Sequence, residues 1–126
     1  MPKQPASKLR LTGPAQRDIV AIIRWSIEHF GRAAAVRYEA LILQAIRDIA
    51  ADPNRLGSKE RPELMIDGAR TYHMSLSRKN VDGVQVKEPR HFILYRSRPD
   101  GIIEVGRILH ELTDLQRHLP DDYQIG

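Results

Sequence analysis

Two apolar stripes on either side of a glycine restrict this chain more than any other feature. From Pro14 to Phe30 the apolar positions are Ala15, Ile19, Ile22, Ile23, Ile27 and Phe30, a spacing that lays one face along a helix. From about Ala33 to Ala51, Tyr38, Leu41, Ile42, Ala45, Ile46 and Ile49 draw a second stripe. Gly31 stands where a helix end takes a glycine, and Asp52-Pro53 breaks the second helix. Helices joined by about two residues fold back as an antiparallel hairpin. Pro14 is tolerated in the first turn because its missing N–H has no partner there, and Gln16 falls where a capping side chain reaches back. Trp25 lies off the main stripe. The apolar side of such a hairpin has to be covered by something else in the chain.

The cover is written in period two. Lys8-Leu9-Arg10-Leu11-Thr12 alternates as a short strand does. After a loop over 53–68, Arg70, Tyr72, Met74 and Leu76 point one way and Thr71, His73 and Ser75 the other. Two further strands are expected at about Arg90–Ser97 and Ile102–His110, joined by a tight turn at Arg98-Pro99-Asp100-Gly101. Residues 77–89 are polar. Asp82-Gly83, flanked by Val81 and Val84, is a hairpin-turn signal, so this stretch reads as a long β-arm or a mobile loop. A short helix is expected from Leu112 to Leu119, stopped by Pro120. The order β-α-α-β-β-β gives an α+β fold in two layers, a helical hairpin on a mainly antiparallel four-stranded sheet. Residues 1–7 read as a flexible N-terminal arm, 8–120 as the domain and 121–126 as a C-terminal tail.

A length of 126 residues suits one hydrophobic core. The chain has no cysteine, which removes disulfides and thiolate metal sites and fits a reducing cytoplasm. No apolar run approaches the ~20 residues of a membrane span, and the start lacks a signal-peptide core. A cytoplasmic protein without a membrane partner is expected. The formal charge is +4 and is unevenly placed. Residues 1–51 hold eight Lys/Arg against four Asp/Glu, residues 69–110 hold the same, and residues 111–126 hold one against four. A mildly basic body favours a polyanion or an acidic protein partner.

The last two strands collect the polar groups of interest. Metal-free RNA cleavage needs a base, an acid and cations around the phosphate. Arg70, Arg96 and Arg107 have the bidentate geometry for phosphate, and His73, His91 or His110 exchange protons near neutral pH. Alternation scatters them. His91 sides with Ile93 and Tyr95, Arg96 with Phe92 and Leu94, and Arg107 with Val105 and Leu109, while His110 sides with Glu104, Gly106 and Ile108. The tail carries Asp121 and Asp122, which would repel a phosphate. Without cysteine or an H-x₃-H pair the histidines form no zinc pattern, and no metal or cofactor is expected. Arg96 and Arg107 have two readings: surface ion pairs with Glu104 or Asp114, or docking points for an acidic peptide.

The ordered set of landmarks resembles the ParE branch of the RelE/ParE toxin superfamily over roughly residues 8–119. It runs from Leu11-Thr-Gly-Pro-Ala-Gln-Arg-Asp18 through Gly31, Ala34 and Tyr38, then Pro53 and Gly57. Gly68-Ala-Arg70-Thr-Tyr72-His73 and Pro89-Arg90-His91 follow. Gly106-Arg107-Ile108-Leu109-His110, Asp114 and Leu119-Pro120 complete it. The resemblance implies the toxin of a type II toxin–antitoxin pair of the plasmid-stabilisation kind. Its partner would be a ParD-like antitoxin with a ribbon-helix-helix part, and the two would form a hetero-oligomer. ParE-like toxins are associated with inhibition of DNA gyrase, which implies a protein binder rather than an enzyme. RelE-like proteins are ribosome-dependent mRNA endoribonucleases, and that is the alternative; a remnant that keeps only its antitoxin interface is a third. For partner binding, Trp25, Tyr38 and Tyr72 are candidates to line a groove, with Arg90, Arg96 and Arg107 as its charged contacts. Residues 77–89 are a further candidate contact with a target or a second subunit.

Overall fold

The computed structural model describes residues 8–119; the expected N-terminal arm, the acidic tail and Pro120 lie outside the described residues. Strand β1 (Leu9–Leu11) leads into helix α1 (Gly13–Phe30), and α2 (Arg32–Ala51) follows after Gly31 alone. The remaining strands are β2 (Lys59–Glu60), β3 (Ala69–His73), β4 (His91–Ser97) and β5 (Ile103–His110). They form one five-stranded sheet in the order β1-β5-β4-β3-β2. β1 runs parallel to β5, and every other pair is antiparallel.

Local chemistry explains the helix ends. Thr12 caps α1: its hydroxyl accepts from the Ala15 N–H and donates to the Gly106 carbonyl, tying the first helical turn to β5. Gln16 reaches back as expected, but to the Leu11 carbonyl one residue earlier, because the cap is Thr12. Gly31 has φ of 87°, a conformation that costs a side chain strain, and so closes α1 and starts α2 within one residue.

The two apolar stripes meet the sheet as the spacing predicts. Ile22, Leu41, Ile42, Ala45, Ile46 and Ile49 pack with Tyr72, Ile93, Tyr95, Ile103, Val105 and Ile108 in one core. A smaller cluster of Leu64, Ala69 and Leu94, joined by Ile66, Leu115 and Leu119, covers part of the opposite sheet face. The helical hairpin is therefore not the sole cover.

Four local expectations are corrected. The 53–68 loop contains the two-residue strand β2 and a 3-10 turn, Pro62–Leu64, so the sheet has five strands rather than four. β3 ends at His73, where the chain turns into a 3-10 stretch, Met74–Asn80. Met74 and Ser77 are buried there because Ser77 donates to the Asp48 carboxylate on α2, a long-range anchor that outweighs the alternation pattern. Asp82-Gly83 makes no hairpin, and residues 81–90 carry no strand. Val81 and Val86 instead pack against the core. The expected 112–119 helix is only a 3-10 turn, Leu115–His118.

A fifth correction changes the site. Leu94 pairs with Arg107 and Tyr95 with Val105, so Gly106 is an extra residue that bulges from the ladder. Alternation is broken there. Arg107 joins the face of Leu94 rather than that of Val105, and the Tyr95–Val105 and Ile93–Ile108 pairs both face the helices.

Candidate functional site

The residues singled out by sequence are divided among four clusters. The largest lies where β3 and β5 end and β4 begins, and the ladder sets it: His91 is paired with His110, and His73 with Phe92. The His91 Nδ1 lies 2.6 Å from the Tyr38 hydroxyl on α2, and that hydroxyl accepts from the Arg90 N–H at 3.0 Å. The direction of the Tyr38–His91 hydrogen bond depends on the tautomer of the imidazole. Burial, with the neighbouring His110 adding repulsion, lowers the His91 pKa to about 4. Burial also raises that of Tyr38. The His110 ring meets His91 edge-on at 5.6 Å.

Glu111 closes this cluster. It accepts from His73 Nε2 at 2.9 Å and from Arg90 at 3.1 Å. The hydrogen bonds from His73 and then Arg90 hold its carboxyl below the usual range. Ser75 N–H donates to His73 Nδ1, so the hydrogen of that ring sits on Nε2, facing Glu111. His73 and Glu111 also line a shallow cleft of about 460 Å³ with Lys59, Arg61 and Phe92.

A second cluster surrounds Glu104, which is fully buried in β5. Arg96 donates to it at 2.8 Å, Arg10 from β1 contacts its other oxygen, and Arg98 lies 3.8 Å away. Charge burial on this scale is tolerated only with close partners.

The third cluster is built by Arg107 and Asp18. Two guanidinium nitrogens meet the two carboxylate oxygens at 2.7 and 2.9 Å, and the same carboxylate accepts the Ile108 N–H. β1 ends opposite Val105, so β5 would expose its edge beyond that point. Asp18 supplies the acceptor that a longer β1 would have given. Arg107 also donates to the His118 carbonyl.

Arg70 makes the fourth cluster. It donates to Ser58 on the loop and to Glu60 in β2, and so fastens the edge strand. Of the aromatic candidates, Tyr72 is 1% exposed and bonded to Ser77, a core residue rather than a groove residue. Trp25 is 51% exposed and stacks on His29 at 4.0 Å, with Phe30 against its edge. Phe30 is exposed as well, as is Val36 near the start of α2.

Sequence reasoning gave no site role to Asp18, Glu111 or Asp48. Asp48 is a buried hub that accepts from Ser77, Asn80 and Gln44. Burial pushes its carboxyl up, and these hydrogen bonds outweigh that and bring it down. Asp18 carried a signal in hindsight: an acid on α1 with no basic residue three or four positions away on its own helix face.

The two-layer fold is shared with a class of small toxins. The sequence model described as the ParE toxin of the type II toxin–antitoxin system parDE matches residues 9–115, and the chain belongs to that family. A search of curated proteins found no match. Among solved structures, the chain is similar to one from the chromosomal ParDE toxin–antitoxin system of P. aeruginosa, with a TM-score of 0.62 at 16% identity. The alignment covers 83% of this chain and 96% of that one. No helix among the described residues is long and apolar enough to cross a membrane.

Proposed function

We propose that this ParE-family chain acts by protein contact, inhibiting DNA gyrase, and that a cognate antitoxin neutralises it. The antitoxin would be of ParD-like, ribbon-helix-helix type, the pair would work in the cytoplasm, and plasmid stabilisation would be its role. One observation carries this reading. The three histidines gather in one cluster, but Arg70, Arg96 and Arg107, which a nuclease would need around the phosphate, stand in three others, each paired with its own carboxylate. His91, the most central imidazole, has a pKa of about 4, too low for an efficient base or acid near neutral pH. Arg96 and Arg107 are engaged by Glu104 and Asp18. Exposed aromatic surface that a protein partner could cover supports the reading: Trp25 and Phe30 meet edge-on and are both exposed at the end of α1.

The test uses purified protein. Supercoiling by gyrase should fall with toxin added and recover when antitoxin is present, while in vitro translation proceeds. Translation that stops at once beside fully active gyrase would overturn the proposal and favour the RelE-like endoribonuclease. A triple replacement of His73, His91 and His110 by Gln is expected to leave the effect on gyrase within a few fold. A nuclease using one of them as acid or base should lose about 10²–10⁴ in rate.

A further inference from the structure

Asp82-Gly83 forms no hairpin, and neither the sheet nor the proposed function uses it. An Asp-Gly pair is also prone to a reaction of its own backbone, because no side chain shields the glycine nitrogen from the preceding carboxyl. The chain has three such pairs, Asp67-Gly68, Asp82-Gly83 and Asp100-Gly101. All three glycines have positive φ, so conformation alone does not separate them. Their bonding does.

Asp100-Gly101 is held at both reacting groups. The Asp100 carboxylate accepts from the Ile102 N–H at 3.1 Å and from Arg98 at 2.7 Å, and the Gly101 N–H donates to the Arg98 carbonyl at 3.0 Å. Asp67-Gly68 is the middle of a turn that the Ala69 N–H closes on the Ile66 carbonyl at 3.1 Å. Gly68 lies so near the Ser97 backbone that a Cβ would come 2.8 Å from its carbonyl oxygen. That contact resists the backbone rotation the reaction requires. Asp82-Gly83 has neither restraint. Residues 82–85 are all exposed, and a Cβ on Gly83 would meet nothing within 4 Å. Among the described residues, neither the Asp82 carboxylate nor the Gly83 N–H has a hydrogen-bond or ion-pair partner.

We infer that Asp82-Gly83 is a site of aspartate isomerisation in the folded protein. The Gly83 nitrogen attacks the side-chain carboxyl carbon of Asp82. The nitrogen gives up its proton and the carboxyl its hydroxyl, so one water leaves as a succinimide ring closes. Water then adds back. Opening at the side-chain carbonyl restores aspartate. Opening at the main-chain carbonyl routes the backbone through Cβ and leaves the former main-chain carbonyl as a free carboxylate. The isoaspartyl link lengthens the main chain by one atom between Val81 and Val86, which both pack against the core. It also makes this chain a substrate for carboxyl methyltransferases that act on isoaspartyl residues.

The full-length protein is kept warm at neutral pH for several weeks, beside a sample in guanidinium chloride. Each is then treated with an isoaspartyl carboxyl methyltransferase and isotope-labelled S-adenosylmethionine, and the label is located by peptide mapping. In the folded sample the peptide with Asp82-Gly83 should carry several-fold more label than those with Asp67-Gly68 or Asp100-Gly101. In denaturant the three should converge. Asp82→Glu, which would have to close a larger and less favourable ring, should remove the folded-state label. Equal labelling of the three pairs in the folded protein would overturn the proposal, as would an unlabelled Asp82-Gly83 peptide or a label there that survives Asp82→Glu. A preference for Asp82-Gly83 that is unchanged in denaturant would trace to the local sequence rather than the fold and overturn it equally.

Discussion

His91 shows how a single ring links burial to pH. Its folded pKa of about 4 lies below its ordinary 6.5. As pH falls, the unfolded chain takes up the proton first, so stability present above pH 6.5 is lost between 6.5 and about 4. Glu111, whose folded pKa is lowered by His73 and Arg90, adds its own loss as pH falls below its ordinary 4.5. The melting temperature should therefore drop between pH 7 and pH 4.5. His91→Asn should flatten the part of the drop above pH 5, a difference that calorimetry at several pH values resolves. Asp18 is the other decisive residue. Asp18→Ala leaves both the Arg107 guanidinium and the Ile108 N–H without this acceptor. Urea unfolding should show a loss of about 2–4 kcal/mol. Asp18→Asn, which keeps an acceptor for Ile108, should lose less.

At the level of elements, the stretch between β3 and β4 is held at two points. Ser77 and Asn80 fix its start to Asp48, and Arg90 with His91 fixes its end to Tyr38. Ser77→Ala removes one donor from Asp48 and one partner from Tyr72. Hydrogen exchange should accelerate over 74–90 while β4 and β5 stay protected, with a global cost of about 1–3 kcal/mol. Gly68 sets the approach to β3. At φ of 76° a Cβ there would sit 2.8 Å from the Ser97 carbonyl oxygen. Gly68→Ala should cost about 1–3 kcal/mol in the same urea assay, through backbone strain plus this clash. The helices, β4, β5 and their turn are legible in sequence because period and turn chemistry are local properties. The 74–80 stretch is not, because what bends it is a carboxylate some thirty positions earlier. Gly106 hides the site differently: one extra residue reverses the alternation, and the glycine inside the strand is the one local hint of that bulge. The ion pairs were legible only for Arg96 with Glu104, which face each other across neighbouring strands.

For the whole molecule, the sheet order puts the earliest strand beside the latest. Leu9 is paired with Ile103 and Leu11 with Val105, and Thr12 reaches Gly106. β5 is thus flanked on both sides by strands over 103–105 and should show the slowest amide exchange in the molecule. β2, a two-residue edge strand, should exchange fastest of the strands. Long-range pairing of this kind favours refolding in the millisecond-to-second range rather than microseconds, which stopped-flow fluorescence of Trp25 can follow.

The β1–β5 pairing also fixes a birth order. On a translating ribosome the helical hairpin emerges with its apolar stripe and no sheet to lie on. At about 5–20 residues per second, roughly 5–20 s separate the synthesis of β1 from that of its partner strand. Through that interval the nascent chain is an adhesive intermediate without its finished shape. Under the proposed function, an antitoxin present during that interval would meet a half-made protein, and a target only a finished one.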